Sequence, residues 1–596
     1  MYALASLAAL VQLGSSSVID RPDSIVQGWT ELKKTDGLQQ IKLTFALKNE
    51  NVDLLHQTLL DVSTPGNPEY GNHKTVDELY AMTAPSAVAI DAIQDWLFTN
   101  FEVDQIIRET PNEDLWSVIT DIQSAEKLLN CEYYDYLSDI DGKTIVSRVK
   151  LGTDYNVDEA VAKHLYFVSP THRFPYLQSR VRASLGAGEV NPTKLRALYN
   201  IGSAGGKSSN NSQGIASFRD QYYDLSDCKA MWEKYNIDPC NVTNVPSNEP
   251  TGNHLEAELD TQYISSMGQA IPMQVWWTKG VNFEDALLEW AQNVLASKTA
   301  PPLFSVSYGG PESEFGEAYV TKLNNQLMML GTAGYSILFA AGDSGAGGGC
   351  SSDQPFNPDY PASSPYVTAV GGVTGGTAGK TPVGESVWID GGGGFSNYAP
   401  RQSWQQDAVA YYLSNENSLP DSSQYNASGR GFPDIAAQSV DFEIFVNGKT
   451  EAVSGTSCAS PTAGGIFALL NDLRAQNKMA KLGFLNPFIY QTAAVNATAF
   501  NDCTEGYNKG CSPGVNRGFN AYAKWDPASG YGSPNYAVLK ERVLATGQQT
   551  IKHEENKLKI GKGLIREKIE NGVKKIQQRI LNRLTIGKEP LHGVAF

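Results

Sequence analysis

The sequence predicts an α/β domain, a parallel sheet with flanking helices, preceded by a smaller α+β domain. Three observations carry that prediction. A chain of 596 residues is too long for one hydrophobic core. Between about residues 190 and 545, short apolar runs, Gly-rich loops and longer periodic stretches recur in turn, the strand–loop–helix rhythm of a parallel sheet. Before about residue 180, strand and helix signals interleave with little Gly, as in an α+β unit with its own core.

The chain starts with a short apolar run, Met1 to Gly14, followed by Ser15-Ser16-Ser17. It reads as a signal peptide over residues 1–17, although its first residues carry no Lys or Arg. It is too short to span a bilayer, and no run of 18 apolar residues occurs elsewhere. Four Asn-x-Ser/Thr sites, at Asn210, Asn241, Asn426 and Asn496, agree with a secretory route. In the first unit, residues 18–180, strands are expected over Leu43–Leu47, Leu115–Ile119 and Thr144–Val149, and amphipathic helices over Val52–Leu60 and Ala87–Leu97. Gln178 to Gly188 is small, polar and basic, the kind of exposed segment that proteases cut.

The main domain is placed at residues 181–546. Its expected strands are Ile215–Phe218, Met273–Trp277, Leu303–Tyr308 and Ser336–Ala341, and its helices include Phe283–Ala296, Glu317–Gly331 and the stretch after Ser457. In such sheets the loops at the carboxyl ends of the strands carry the chemistry. Residues 547–596 form a basic tail in which Ile565, Ile569, Val573, Ile576, Ile580 and Leu584 recur at helical spacing, interrupted by Gly572. The chain carries a net charge of −17, which argues against nucleic acid as a partner. Seven cysteines are present and no Cys-x-x-Cys occurs. Cys228 and Cys240 are close enough in sequence to staple a loop, and Cys350 and Cys511 are open to a long-range pair, but spacing does not fix the pairing.

The stretch with chemical content is Ser454-Gly455-Thr456-Ser457-Cys458-Ala459-Ser460-Pro461, ahead of an apolar helical run. It sets the Ser457 hydroxyl near a helix N-terminus, where free N–H groups favour negative charge. Acyl transfer needs such a nucleophile beside an oxyanion site. A histidine base is nearly excluded, because His254 is the one histidine between residues 190 and 545. Around it runs Gly252-Asn253-His254-Leu255-Glu256-Ala257-Glu258-Leu259-Asp260. As a helix this puts Glu256 and Asp260 on one face, where two carboxylates share a proton and split their titrations. Taken alone, these acids would be a solvated helix face. A third acid, Asp343, sits in Gly342-Asp343-Ser344-Gly345 after an apolar strand.

Glu-x-x-x-Asp, then Gly-Asp-Ser-Gly, then Ser-Gly-Thr-Ser-x-Ala-Ser-Pro, in that order, resembles the sedolisin family of serine-carboxyl peptidases. The segments Ser305-Val306-Ser307-Tyr308-Gly309, Pro361 to Thr368, Gly392-Gly393-Gly394-Phe395-Ser396, Gly431-Phe432-Pro433-Asp434-Ile435 and Glu69-Tyr70-Gly71-Asn72-His73 agree with it. The resemblance covers about residues 20 to 545. It implies a subtilisin-like α/β catalytic domain preceded by an α+β pro-domain that blocks the cleft until acid activation. It implies Ser457 as nucleophile, Glu256 as general base and acid, Asp260 as the carboxylate holding Glu256, and Asp343 as oxyanion donor with the Ser457 N–H. It also implies one structural calcium ion, with Asp502 and Asp526 giving carboxylate oxygens and Cys503, Tyr522 and Lys524 giving backbone carbonyls. Relatives often carry glycine at the last two of these positions. It pairs Cys511 with Cys350 and leaves Cys503 free. The expected protein is a secreted monomeric acid peptidase, or one of a vacuole- or lysosome-like compartment. It would take peptide or protein substrates and release N-terminal tripeptides. The alternatives are an endopeptidase of the same family and a catalytically idle peptide-binding relative.

Overall fold

The computed structural model describes residues 16–18, 28–175, 182–184, 186–219, 221–247, 255–280, 282–348, 350, 355–381, 383–511 and 517–546. Residues 1–15 of the leader, five of the eleven residues of the expected cut segment, His254 and the basic tail lie outside the described residues. Residues after Gly547 are a separate unit.

The N-terminal unit has a four-stranded antiparallel sheet in the order Ile106–Arg108, Leu115–Asp121, Gln40–Leu47, Leu165–Ser169. Strands Trp29–Lys34, Tyr133–Ser138 and Ile145–Val149 make a second sheet. Helix Ala87–Asn100 is capped by the Ser86 side chain, which accepts from the Ala89 N–H. Leu43, Phe45, Ile93, Leu97, Trp116 and Val168 are fully buried in a core that belongs to this unit alone.

The second unit is built on an eight-stranded sheet. Its strands, numbered in chain order, are β1 Gln213–Phe218, β2 Val242–Val245, β3 Met273–Thr278, β4 Leu303–Val306, β5 Ser336–Ala340, β6 Thr368–Gly375, β7 Glu385–Val387 and β8 Ile435–Gln438. The parallel order is β2-β3-β1-β4-β5-β6-β8, with β7 antiparallel to β6. Helices α1 Leu255–Met267, α2 Phe283–Ala296, α3 Glu317–Thr332 and α4 Thr456–Gln476 flank the sheet. Strands β1, β4 and β5 are buried throughout, as crossover helices on both faces require. The expected strand Leu303–Tyr308 leaves the ladder after Val306, because Ser307 turns into the site described below.

The two units share an apolar interface. Leu55 and Leu59 of helix Val52–Ser63 join one buried cluster with Leu323, Leu327 and Leu330 of α3. Across it, Lys322 Nζ pairs with Asp114 Oδ2 at 2.6 Å, both side chains fully buried. Cys350 and Cys511 form a disulfide across 161 residues of sequence. The Cys228–Cys240 staple does not form: both thiols are free, and Cys228 Sγ donates instead to Thr261 Oγ1 at 3.4 Å.

Candidate active site

The segment around Ser457 is positioned by helix packing. Ser457 is the second residue of α4, in the first turn where N–H groups lack intrahelical acceptors. Pro461, four residues on, removes the helical donor to the Ser457 carbonyl. α4 lies close against α1 because Gly465 has no side chain: a Cβ there would fall 2.5 Å from Met267 Cβ and 2.8 Å from the Ile264 carbonyl oxygen. Ser460 Oγ meets Ser305 Oγ at 2.8 Å and ties the same helix to β4. The Ser457 hydroxyl is buried and has no hydrogen-bond partner among the described residues.

Helix α1 is buried on every face, so the solvated-face reading of its acids fails. Glu256 is 2% exposed and Asp260 1%. Ser307 Oγ donates to Asp260 Oδ1 at 2.7 Å. Burial, then the neighbouring Glu256 charge, push the Asp260 carboxyl well above the usual carboxylate range. The Glu256 N–H donates to Gln221 Oε1 at 3.3 Å. Glu258 serves structure instead. Its oxygens accept from the Asp224 N–H (2.6 Å) and Gln262 Nε2 (3.0 Å), and burial pushes it up to about 8.

Asp343 follows β5, at the carboxyl end of the sheet. Its Oδ1 accepts from the Thr456 N–H and from Thr456 Oγ1, both at 2.8 Å, so the residue before Ser457 holds it. Cys458 is the residue next to Ser457 on which these acids act: burial, then the Asp343, Glu256 and Asp260 charges, hold its thiol well above the ordinary value. Sequence reading missed Ser307, Thr456 and Gln221 as partners. The first two stood inside quoted segments, Ser-Val-Ser-Tyr-Gly and Gly-Thr-Ser, but nothing in a sequence tells a donor from a spacer.

The chain between the two units runs along this site. Arg182–Ala183 pairs antiparallel with Ser454–Val453, three residues ahead of the nucleophile. The Arg182 guanidinium donates to the Asp343 carbonyl at 3.1 Å. Asp441 holds the following turn by accepting from the Gly188 N–H (2.9 Å) and the Glu189 N–H (3.1 Å).

The expected cation ligands come from two segments, Asp502–Cys503 and Tyr522–Asp526, with strands Tyr507–Lys509 and Arg517–Asn520 between them in sequence. Asp502 Oδ2 accepts from the Lys524 N–H at 2.8 Å, and Asp526 Oδ2 from the Tyr522 N–H at 3.0 Å. Asp526 is fully buried and burial pushes it up to about 8; Asp502 is pushed up to about 6 for the same reason. Asp502 Oδ1 is buried without a hydrogen-bond partner among the described residues. Cys503 Sγ turns away to the Glu385 carbonyl at 3.2 Å, leaving its own carbonyl as the available donor. Lys524 has φ +73°, a conformation natural to glycine, and its ammonium sits over the Tyr411 ring at 3.9 Å. One buried and one half-buried carboxylate, with an otherwise oxygen-only donor set, fit a hard cation. No cluster of three acidic, His or Cys side chains gathers among the described residues, so backbone carbonyls would complete the shell.

A serine at a helix start, facing the carboxyl ends of a parallel sheet behind a covering α+β unit, defines the class: a serine-type peptidase of subtilisin-like fold with an N-terminal pro-domain. Residues 27–174 match the model of the pro-kumamolisin activation domain, and residues 271–548 that of the subtilase family. Human tripeptidyl-peptidase 1 is 34% identical over 567 residues, covering 91% of this chain and 99% of that protein, and the mouse protein matches to the same extent. Pseudomonas sedolisin, a serine-carboxyl proteinase solved with pseudo-iodotyrostatin, shares the fold with a TM-score of 0.50 and 22% identity, over 61% of this chain and 99% of that one. The chain belongs to the sedolisin family of serine-carboxyl peptidases.

Proposed function

We propose that the protein is an acid-active tripeptidyl-peptidase, made as a zymogen and sent along the secretory route to the exterior or to an acidic compartment. The observation that carries the acid chemistry is the buried Glu256–Asp260 pair beside Ser457, with no described histidine in reach. When the pair holds one negative charge, Glu256 takes the proton of Ser457 Oγ as that oxygen bonds to the scissile carbonyl carbon. The oxyanion accepts from the Ser457 N–H and from the protonated Asp343 carboxyl, whose other oxygen Thr456 holds. Glu256 then passes its proton to the leaving amine as the C–N bond breaks. Water, deprotonated by the same carboxylate, releases the acyl group. Asp343 donates only while protonated, and Glu256 accepts only from an ionised pair, so activity peaks at acidic pH.

The antiparallel Arg182–Ala183 segment beside Ser454 supports inhibition by the chain's own pro-domain. Similarity to tripeptidyl-peptidase 1 over nearly its whole length supports tripeptide release. The apolar N-terminus, and the exposed sequons Asn210 and Asn241, support secretion. Among the described residues no helix is long and apolar enough to cross a membrane. Asp502, Asp526 and the carbonyls of Cys503, Tyr522 and Lys524 would hold a calcium ion. Its contribution is charge neutralisation that stabilises the domain.

The test is to bring purified zymogen to about pH 4, near model carboxylate pKa values. Its new N-terminus is then read, with the products from one free and one N-blocked peptide. Tripeptides from the free peptide alone support the reading; internal cuts in both establish an endopeptidase. A pH–rate profile peaking near pH 8, or full activity in Glu256→Gln, would overturn the acid mechanism.

A further inference from the structure

The turn that leads into the catalytic domain is held on one side chain. Asp441 Oδ1 accepts from the Gly188 N–H at 2.9 Å and from Ser184 Oγ at 3.3 Å, and its Oδ2 accepts from the Glu189 N–H at 3.1 Å. The residue keeps φ +62°, a left-handed conformation uncommon outside glycine. Its own N–H donates to Ser454 Oγ at 3.0 Å, so the clamp is joined to the segment that carries Ser457. All three donors to the carboxylate are neutral, and no Lys or Arg pairs with it among the described residues.

The chain on the two sides of this turn is held unequally. On the carboxyl side, the Val190 N–H donates to the Asp441 carbonyl and the Glu443 N–H to the Val190 carbonyl, both at 2.9 Å. Tyr263 Oη, from α1, adds a bond to the same Val190 carbonyl at 3.0 Å. On the amino side the ladder is short: Arg182–Ala183 against Val453–Ser454, extended by the Ser184 N–H to the Ala452 carbonyl at 2.8 Å. Between the two sides Gly186 lies directly on Asp441, since a Cβ there would fall 2.0 Å from Oδ1. With covalent bonds of about 1.5 Å, the Gly186 nitrogen is within about 5 Å of that oxygen. In the zymogen its N–H donates to Ser184 Oγ at 3.0 Å, and Ser184 Oγ in turn donates to Asp441.

We propose that the mature chain begins at Gly186 and that Asp441 is the binding site for its α-ammonium group. Hydrolysis ahead of Gly186 breaks the C–N bond, puts the hydroxyl of water on the released carbonyl carbon and its proton on the Gly186 nitrogen. A second proton, from the acidic medium, makes the ammonium. Ser184 leaves with the excised segment and vacates Asp441 Oδ1. The ammonium takes its place with three donors and a positive charge that the described zymogen does not set there. An enzyme that trims free N-termini is exposed to trimming its own, and the Asp441 pair anchors that end as no substrate end is anchored. The inference rests on the reading of a self-maturing, N-terminus-trimming zymogen, and adds where maturation stops and which residue stops it.

The test brings the full-length zymogen to about pH 4 and reads the N-terminus of the mature chain. The α-amine of that chain is then acetylated at about pH 6, below the ordinary α-amine range, beside the peptide Gly-Ala-Gly-Glu-Val. The expected result is one N-terminus, at Gly186. Its amine should react about tenfold more slowly than the peptide's, the equivalent of one pH unit of extra proton affinity. In Asp441→Asn, which keeps the shape and removes the charge, the amine should react at the peptide's rate and the N-terminus should become ragged. If Asp441→Asn does not mature, the ratio of wild type to peptide carries the test. A mature chain that starts elsewhere, an amine as reactive as the peptide's, or equal protection in Asp441→Asn overturns the inference while the zymogen reading stands. A chain left uncut at acidic pH overturns the reading and the inference together.

Discussion

Ser307→Ala is expected to move one limb of the pH profile and leave the other in place. Ser307 Oγ donates to Asp260 Oδ1 at 2.7 Å, and no other hydrogen bond reaches that carboxylate among the described residues. The bond favours the ionised form and pulls the Asp260 proton affinity down against burial. A hydrogen bond to a charged group is worth about 1.5–3 kcal/mol. At about 1.4 kcal/mol per pH unit, its loss raises the proton affinity of the Glu256–Asp260 pair by about one to two units. The pair must hold a negative charge to accept the Ser457 proton, so a higher affinity inactivates the enzyme earlier on acidification. The acid limb of kcat/KM therefore moves up by about one to two units. The alkaline limb follows loss of the Asp343 proton. Asp343 is held by Thr456 and not by Ser307, so that limb stays. The assay is kcat/KM of the matured enzyme on a tripeptide amide, at closely spaced pH values through the acidic range. A uniform drop with both limbs fixed, or movement of the alkaline limb alone, would refute the assignment of the pair as base.

Three further outcomes are expected. The His73 ring fits between Gly334 and Gly483, each of whose missing Cβ atoms would lie 2.5 Å from it, and its Nε2 faces the Lys481 carbonyl at 3.1 Å. Burial, with Lys481 and Arg474 nearby, lowers its pKa to about 3. A depressed histidine stabilises the closed zymogen above pH 6.5, and this is lost as pH falls from 6.5 towards 3, at about 1.4 kcal/mol per unit. His73→Gln should flatten the pH dependence of maturation followed on gels, and an unaltered slope would speak against it. Lys322→Met leaves Asp114 buried without its cation, at a cost of about 3–5 kcal/mol. The zymogen should melt earlier and mature faster while the mature enzyme is unaffected; equal zymogen melting would count against the ion pair. Calcium chelation should lower the melting temperature of the mature enzyme. An ion held at a hundred times its Kd contributes about 2.7 kcal/mol, and Asp526→Asn should mimic the loss; a curve indifferent to chelator and to added calcium would remove calcium from the account.

Much of the architecture was legible in the sequence, because buried parallel strands and their crossover helices leave strong local signals. Phe283–Ala296 forms at the expected bounds, and Glu317–Thr332 within one residue. The strand end at Val306 was not legible, since Ser307 and Tyr308 continue the apolar alternation and a tertiary bond takes them out of the ladder. The carboxylates were singled out by the resemblance of their segments, and taken alone they read as a solvated face. Their burial could not be read, because Leu255–Met267 has the composition of a surface helix and only tertiary packing, against α4 and against the Asp224–Cys228 and Glu443–Phe445 segments, buries all its faces. The cysteine pairing shows the same limit. A spacing of twelve residues suggested Cys228 with Cys240, but α1 packs over Cys228 and gives its thiol the Thr261 hydroxyl as partner.

On the proposed mechanism, the zymogen contacts and the catalytic acids respond to protons with opposite results. At neutral pH the buried neutral His73 and the Asp114–Lys322 pair hold the units together, and Arg182 lies on Asp343. Lowering the pH favours a charged His73, which the closed interface cannot solvate. The same change supplies the proton that Asp343 needs as an oxyanion donor. A histidine base would break this alignment, because at the pH that opens the zymogen it would already be protonated and unable to accept from Ser457. In the proposed mechanism a carboxylate base is thus what would allow one acid signal both to release the pro-domain and to leave a working nucleophile behind.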